Sequence, residues 1–480
     1  MASSLINYKE VLVIGLGSRG RAACGLLRRS GARVWGVDCA DTPELRKAAE
    51  NLRGLGVEVA LGASALPARE FGLTVASPEA LANSSLIESA VQRGLPLVSE
   101  LELGFQHATC LTIAIAGTNG KSTTGELVER MLASNHRKTI LCGHQGRPVC
   151  EVADQTKELD FLIVQANSFQ LSVTQHLQPA VAVLLNLAPD HLDRYASAED
   201  YTRVNARLFQ NQQAFDWAVI QSEALARLRE LQLPVPAKTI TFSATDPAAD
   251  LHLDRGLLIS RLPNWSGPLL DIEHCQLRGP HNAENLMAAL AVGHALRLPL
   301  EAMVDPVKTY TAGAHRFQLA AEINGVQFIN DSKAANVDAL HKALLAARPV
   351  PGGEPNIWLI AGGQEQDAEF HYLGPVLSRR VKRAFLLGEA GEKIRAAWSL
   401  FTPCTVANSL IEAITEAARN AVSGDVVLLS PACSSFGQSR DYQERGEIFC
   451  RAVQSISSGA CWAYPNRDGG KVLTDRAADS

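Results

Sequence analysis

Seven short apolar runs rich in valine, isoleucine and leucine recur along this chain of 480 residues, with helical stretches between them. They are VLVIGLG at 11–17, LTIAIAG at 111–117, FLIVQ at 161–165, VAVLLNL at 181–187, IWLIAGG at 357–363, AFLLG at 384–388 and DVVLLSPA at 425–432. Runs that stay apolar without alternating, and that end on glycine or a polar residue, are what strands buried on both faces of a parallel sheet require. The chain therefore reads as α/β. The pattern breaks near residue 107 and again at TAGAHRF, 311–317. Three domains are expected, 1–107, 108–312 and 313–457, followed by a polar tail at 458–480 that should fray.

Composition removes several function classes. A formal charge of -5 offers no general attraction to nucleic acid or to an anionic membrane. No apolar run approaches the length of a spanning helix, and MASSLINYKEVLVIGLG passes straight into the first strand without a basic and then apolar leader, so a cytosolic protein is expected. The ten cysteines form no C-x-x-C pair, which argues against a zinc knuckle or a disulfide framework. Cys433 alone stands in a polar, loop-like setting, with no base nearby in sequence to make it a nucleophile.

Two glycine turns carry chemistry. In the first, Gly15, Gly17 and Gly20 have G-x-G-x-x-G spacing between a strand and a helix, Ser18 lies inside the turn, and Asp38 ends the next strand. This is the outline of a dinucleotide fingerprint, which taken alone favours an NAD enzyme over a Rossmann-like domain that binds another nucleotide or only packs. In the second, a strand leads into Gly117-Thr118-Asn119-Gly120-Lys121-Ser122-Thr123, and then into a helix with Leu127, Val128, Met131 and Leu132 along one stripe. A Walker A loop would have glycine where Ile115 stands, so the turn is a compact variant. Its backbone amides and helix start would converge on phosphate, with Lys121 reaching the β- and γ-phosphates and Ser122 offering a hydroxyl to Mg²⁺.

From this turn onward the motifs GTNGKST, NSFQL at 167–171, NLAPDHLDRY at 186–195, GPHNAEN at 279–285, AHRF at 314–317, NDSKAAN at 330–336 and SPACSSFGQSRDYQERG at 430–446 follow in register. In that order they resemble the ATP-dependent Mur ligases of peptidoglycan synthesis, and most of all the branch that joins glutamate to UDP-N-acetylmuramoyl-L-alanine. The likeness spans 8–455. It implies a Rossmann-like first domain that holds the uridine nucleotide, through Gly15, Gly17, Ser18 and Asp38, in place of NAD. It implies a P-loop ATPase-like central domain and a Rossmann-like third domain that takes the amino acid.

The implied reaction uses ATP and Mg²⁺ to turn the substrate carboxylate into an acyl phosphate, from which the amine of D-glutamate then displaces phosphate to give an amide. Lys121, His191 and Lys333 are implied catalytic residues. Gly117 to Thr123, Asn282, Asn285, Arg316 and Asp331 are implied to hold ATP, with Arg316, Asp331 and Lys333 closing over it from the third domain. Ser122, Gln165 and His191 fall at metal positions, and Ser435 and Tyr442 at the amino-acid site. Outside the resemblance, His191 also reads as a cap or core histidine, the asparagines as helix caps, and Asp331 with Lys333 as an exposed ion pair. Family members act as monomers, and the same is expected here.

Several positions depart from the family pattern. Gln165 stands where a metal-binding glutamate is expected, and Asn205 where a carbamoylated lysine is expected. Gln366 replaces a lysine of the amino-acid pocket, Ala335 replaces a threonine, and GHQG at 143–146 replaces a G-G-N-x-G stretch. These losses fall at the metal and acceptor positions and spare the ATP cradle. Three outcomes follow: the glutamate ligase itself, a ligase for another amino acid, or a nucleotide-binding relative with impaired catalysis.

Overall fold

The computed structural model describes residues 9–82, 84–188, 194–277, 279–364, 368–434, 439 and 441–458. The chain divides into two compact units, Met1–Gly313 and Ala314–Ser480, and each is described by itself.

The first unit holds two sheets. One is wholly parallel, with strands in the order Glu58–Ala60, Arg33–Val37, Glu10–Ile14, Leu73–Ala76 and Leu97–Ser99. Its first strand turns at Gly15 into the helix Ser18–Arg29. That turn is tight: a Cβ on Gly20 would lie 1.7 Å from the Gly15 carbonyl oxygen, so only glycine lets the helix pack this close to the strand.

The second sheet runs Gly267–Asp271, Leu257–Ser260, Leu251–Asp254, Lys238–Ser243, Trp217–Gln221, Val181–Leu184, Leu111–Ala116, Phe161–Gln165 and Thr139–Gly143. The strand LTIAIA explains how it is covered. Ile113 and Ile115 point to one face, where they meet Leu127 and Met131 of the helix Lys121–Ser134 and Leu286 and Leu290 of the helix Pro280–Ala295. Ala114 and Ala116 point to the other, against Val149, Leu171, Phe209 and Leu225. Alternation by one residue thus feeds two apolar layers, and truncating one of these large side chains to alanine would cost ~2–5 kcal/mol.

The first two sheets share a unit because apolar packing joins them. The helix Glu100–His107 presents Leu103 to a cluster that also contains Leu26, Leu27, Cys150 and Ala153. The fully buried Glu100 carboxylate accepts the Cys150 amide at 2.7 Å across the same junction, and burial pushes its pKa up to about 7.

In the second unit the order is Gln318–Ile323, Val326–Asn330, Val426–Leu429, Ile357–Gly362, Val381–Leu387 and Cys404–Val406. All neighbours are parallel except the first pair. Leu340, Leu373 and Trp398 cover one face; Ile414, Phe449 and Val453 cover the other.

The apolar runs of the sequence are all strands. The antiparallel edges at 251–271 and 318–323 escaped sequence reading because they are short and half-exposed, and so lack the unbroken apolar run that marks a central strand.

Candidate nucleotide and amino-acid sites

In the first unit the strand Leu111–Ala116 ends at Gly117, whose φ of +126° belongs to glycine, and the helix Lys121–Ser134 begins after Gly120, φ +91°. No side chain caps this helix start. Its first amides have no intrahelical partner and carry the positive end of the helix dipole, which is the requirement for holding phosphate.

Neighbouring strands fix the loop. Asn186, just beyond the strand Val181–Leu184, grips Asn119 from both sides: its Oδ1 accepts the Asn119 amide at 2.9 Å and its Nδ2 donates to the Asn119 carbonyl at 3.0 Å. The Thr118 hydroxyl donates to the Ala188 carbonyl at 2.9 Å and lies 3.0 Å from the Tyr201 hydroxyl, so it latches the loop. Lys121 Nζ donates to the carbonyls of Gly117 at 2.6 Å and Thr118 at 3.0 Å, which holds the ammonium over the loop. Asn285 closes the other side. A Cβ on Gly120 would lie 2.3 Å from its Oδ1, which also accepts the Thr124 hydroxyl at 3.3 Å, while its Nδ2 donates to Asn282 Oδ1 at 3.2 Å. Thr123 is buried in the first helical turn. The structure therefore gathers 117–123, Asn285 and, behind it, Asn282.

Ser122 and Gln165 meet: the serine hydroxyl donates to Gln165 Oε1 at 2.8 Å, and both residues are buried. Asn205 is turned to its own helix, donating from Nδ2 to the Tyr201 carbonyl at 2.9 Å. His144 of the GHQG stretch accepts at Nδ1 from Asn167 Nδ2, 3.1 Å away, because Asn167 Oδ1 already caps the Gln170 amide. His191 lies outside the described residues.

At the first glycine turn, Asp38 holds the loop: Oδ2 accepts the Leu16 amide at 2.7 Å and Oδ1 the Ala40 amide at 2.9 Å. Gly17 and Ser18 are exposed at the helix start. Arg19 beside them reaches into the neighbouring sheet's loop, donating to the carbonyls of Gly143 at 3.1 Å and of His144.

In the second unit Asp331 follows the strand Val326–Asn330 and is partly buried. It accepts the Ser430 hydroxyl at 2.9 Å and the Phe317 amide at 3.0 Å, and burial pushes its pKa up to about 7 against the pull of those bonds and of Arg316. Lys333 places Nζ 3.8 Å from the centre of the Tyr442 ring, a cation–π contact. Arg316, Asp331, Lys333 and Tyr442 thus share one region. Cys433 is fully buried with its thiol pushed up to about 12, which removes it as a nucleophile. Ser435 and Gln366 lie outside the described residues.

Residues 115–293 match the model of the Mur ligase middle domain, and 315–433 that of the Mur ligase glutamate ligase domain. The UDP-N-acetylmuramoylalanine–D-glutamate ligase of Acidobacterium capsulatum is 35% identical over 461 residues, 95% of this chain and 98% of that one. The chain belongs to the Mur ligase family. The enzyme of the same name from Geobacillus kaustophilus is 35% identical over 456 residues, 94% of this chain and 98% of its own. Among solved structures, a MurF ligase from Thermotoga maritima in complex with ADP superposes with a TM-score of 0.59, covering 93% of this chain and 95% of that one at 16% identity. At that identity the likeness concerns the fold.

Of the residues expected at the metal, the described ones are Ser122 and Gln165. Mg²⁺ seeks one or two carboxylates in addition to phosphate oxygens. The described residues offer two neutral oxygens, on Ser122 and Gln165, and no group of three His, Cys, Asp or Glu that could hold a metal ion. They do not fit a divalent cation held by protein carboxylates. Sequence reading also missed several supports. Asn186 announces itself only as a polar residue after a buried strand, and Tyr201 only as an aromatic in a polar helix. Arg19 and Arg445 read as surface arginines.

Proposed function

We propose that this chain uses ATP to form the amide bond between UDP-N-acetylmuramoyl-L-alanine and D-glutamate. The observation that carries the reading is the uncapped helix start at Gly120 with Lys121 folded over a loop already clamped by Asn186. Such a site neutralises charge on a transferring phosphoryl group without rearranging, which is the main demand of phosphoryl transfer.

The chemistry runs in two steps. A carboxylate oxygen of the substrate bonds to the γ-phosphorus, the bond from that phosphorus to the β-bridging oxygen breaks, and ADP leaves. The amine of the amino acid then bonds to the acyl carbon, phosphate departs with the bonding pair, and the nitrogen gives up a proton. Lys121 and the amides at 120–123 hold the β- and γ-phosphates, and Asn285 and Asn282 shape the wall beside them. Gly15, Gly17 and Ser18 receive the uridine nucleotide. Asp38 keeps that turn in shape and retains lone pairs for a ribose hydroxyl. Arg316, Asp331, Lys333 and Tyr442 serve the terminal phosphate and the amino acid. No step is assigned to a metal, because the described residues do not build a site for one. We further place the enzyme in the cytoplasm as a monomer; among the described residues no helix is long and apolar enough to cross a membrane.

The test is phosphate release from ATP that depends on both UDP-N-acetylmuramoyl-L-alanine and D-glutamate, with the product identified by mass. Lys121→Ala should lower this rate at least a hundredfold, and an unchanged rate would refute the mechanism. A second reading, a nucleotide-binding relative with impaired amide synthesis, is favoured by the neutral Ser122–Gln165 pair. It predicts nucleotide binding with no amide product from any amino acid in a panel of D- and L-forms.

A further inference from the structure

Arg445 occupies the first turns of the helix Tyr442–Ser457 and is only 6% exposed. Its guanidinium donates to Ser332 Oγ at 3.0 Å, to the Ser332 carbonyl at 2.9 Å, to the Cys433 carbonyl at 3.4 and 3.5 Å, and to the Ser434 carbonyl at 3.5 Å. Every acceptor is neutral. Among the described residues no carboxylate bonds it, although arginines this deep are normally paired. Asp441, which caps this helix, gives its Oδ1 to the amides of Gln443 and Glu444. Burial pushes the guanidinium down to about 10, which leaves it charged at neutral pH.

The place of this charge gives it a use. Its acceptors lie on two loops, 331–334 and 430–434, that follow the neighbouring parallel strands Val326–Asn330 and Val426–Leu429. The crevice beyond the carboxyl ends of such strands is where α/β sheets bind ligands. Ser332 Oγ also donates to the Tyr442 carbonyl at 2.8 Å, which ties the helix start to the first loop. Lys333 Nζ over the Tyr442 ring adds a second cation to the same region. Desolvated charges act with little screening, so the region is poised for an anion.

We propose that Arg445 is a specificity-determining residue whose buried charge makes the acceptor site select an amino acid with an anionic side chain. It acts through the loops it pins and through its field, without touching the substrate, and the idea rests on the ligase reading above.

The experiment compares D-glutamate with D-glutamine, which has the same shape and a neutral side chain, as acceptors for the unaltered chain, Arg445→Met, Arg445→Gln and Arg445→Lys. The readout is the ratio of the two kcat/KM values. The unaltered chain should prefer D-glutamate, and Arg445→Met and Arg445→Gln should lower the ratio at least about tenfold, ~1.4 kcal/mol. Arg445→Lys should keep the ratio while total activity falls. If both acceptors decline together and the ratio stays fixed, Arg445 is only a strut and the proposal fails. A ratio lost in Arg445→Lys also overturns it, and that variant decides the matter should the neutral ones not fold. No product from either acceptor with the unaltered chain would overturn the ligase reading, and this one with it.

Discussion

Gln165→Glu inverts the electrostatics beneath the phosphate loop. The side chain is 2% exposed, and its Oε1 accepts the Ser122 hydroxyl at 2.8 Å. A carboxylate there would be a buried anion, costing several kcal/mol, and the protein escapes most of that by keeping it protonated. Protonation has its own cost of about 1.4 kcal/mol for each pH unit above the unfolded value near 4.3, which bounds the destabilisation at ~4 kcal/mol around pH 7.5. The sign follows from linkage. The folded pKa is raised, so the folded form retains a proton that the unfolded form releases, and the variant's stability falls as pH rises from about 4 toward the folded pKa. Denaturant midpoints of variant and unaltered chain should therefore coincide near pH 4 and separate as pH increases. Mg²⁺ with ADP should close much of the gap at about pH 7.5, because a divalent cation beside the carboxylate favours its charged form. Adding Asn205→Lys should then lower the Mg²⁺ concentration needed for half-maximal rate. A variant as stable as the unaltered chain at every pH and indifferent to Mg²⁺ would show that position 165 lines neither metal nor phosphate.

Two further substitutions probe the remaining geometry. Gly120→Ala places a Cβ 2.3 Å from Asn285 Oδ1 at a φ of +91°, so left-handed strain and the displaced Thr124 hydrogen bond should together cost ~2–3 kcal/mol and weaken ATP binding at least tenfold; wild-type affinity by calorimetry would contradict the cradle. Asp331→Asn should flatten the pH dependence of unfolding. With its pKa raised to about 7, Asp331 contributes stability that is present below about pH 4 and lost as pH rises to about 7, so stability curves that stay parallel over that range would refute its burial as an acid.

The sequence spoke most clearly where physics repeats itself. An unbroken apolar run has few options other than a central strand, and a glycine turn between strand and helix has few options other than an anion site. Lys121 and Ser122 were legible for that reason, and Asn285 only through the family resemblance. Charged residues that the fold buries were not. Glu100 and Glu102 sit in a segment, ELELGFQH, that reads as an amphipathic surface helix, yet both are fully buried, with Glu102 Oε1 accepting the His176 amide at 2.7 Å. Arg445 in YQERG reads as solvated, and only the folded chain reveals its five neutral contacts. The union of the first two sheets was hidden as well, because it depends on Leu103 meeting Cys150 and Ala153 from a stretch far along the chain.

The grip of Asn186 on Asn119 has a kinetic side. A turn locked on both edges before a ligand arrives has little backbone freedom left to lose, so docking carries a small entropic penalty. Nucleotide arrival at this loop is then governed by encounter and by the attraction of a positive helix end, with no slow ordering of the loop itself.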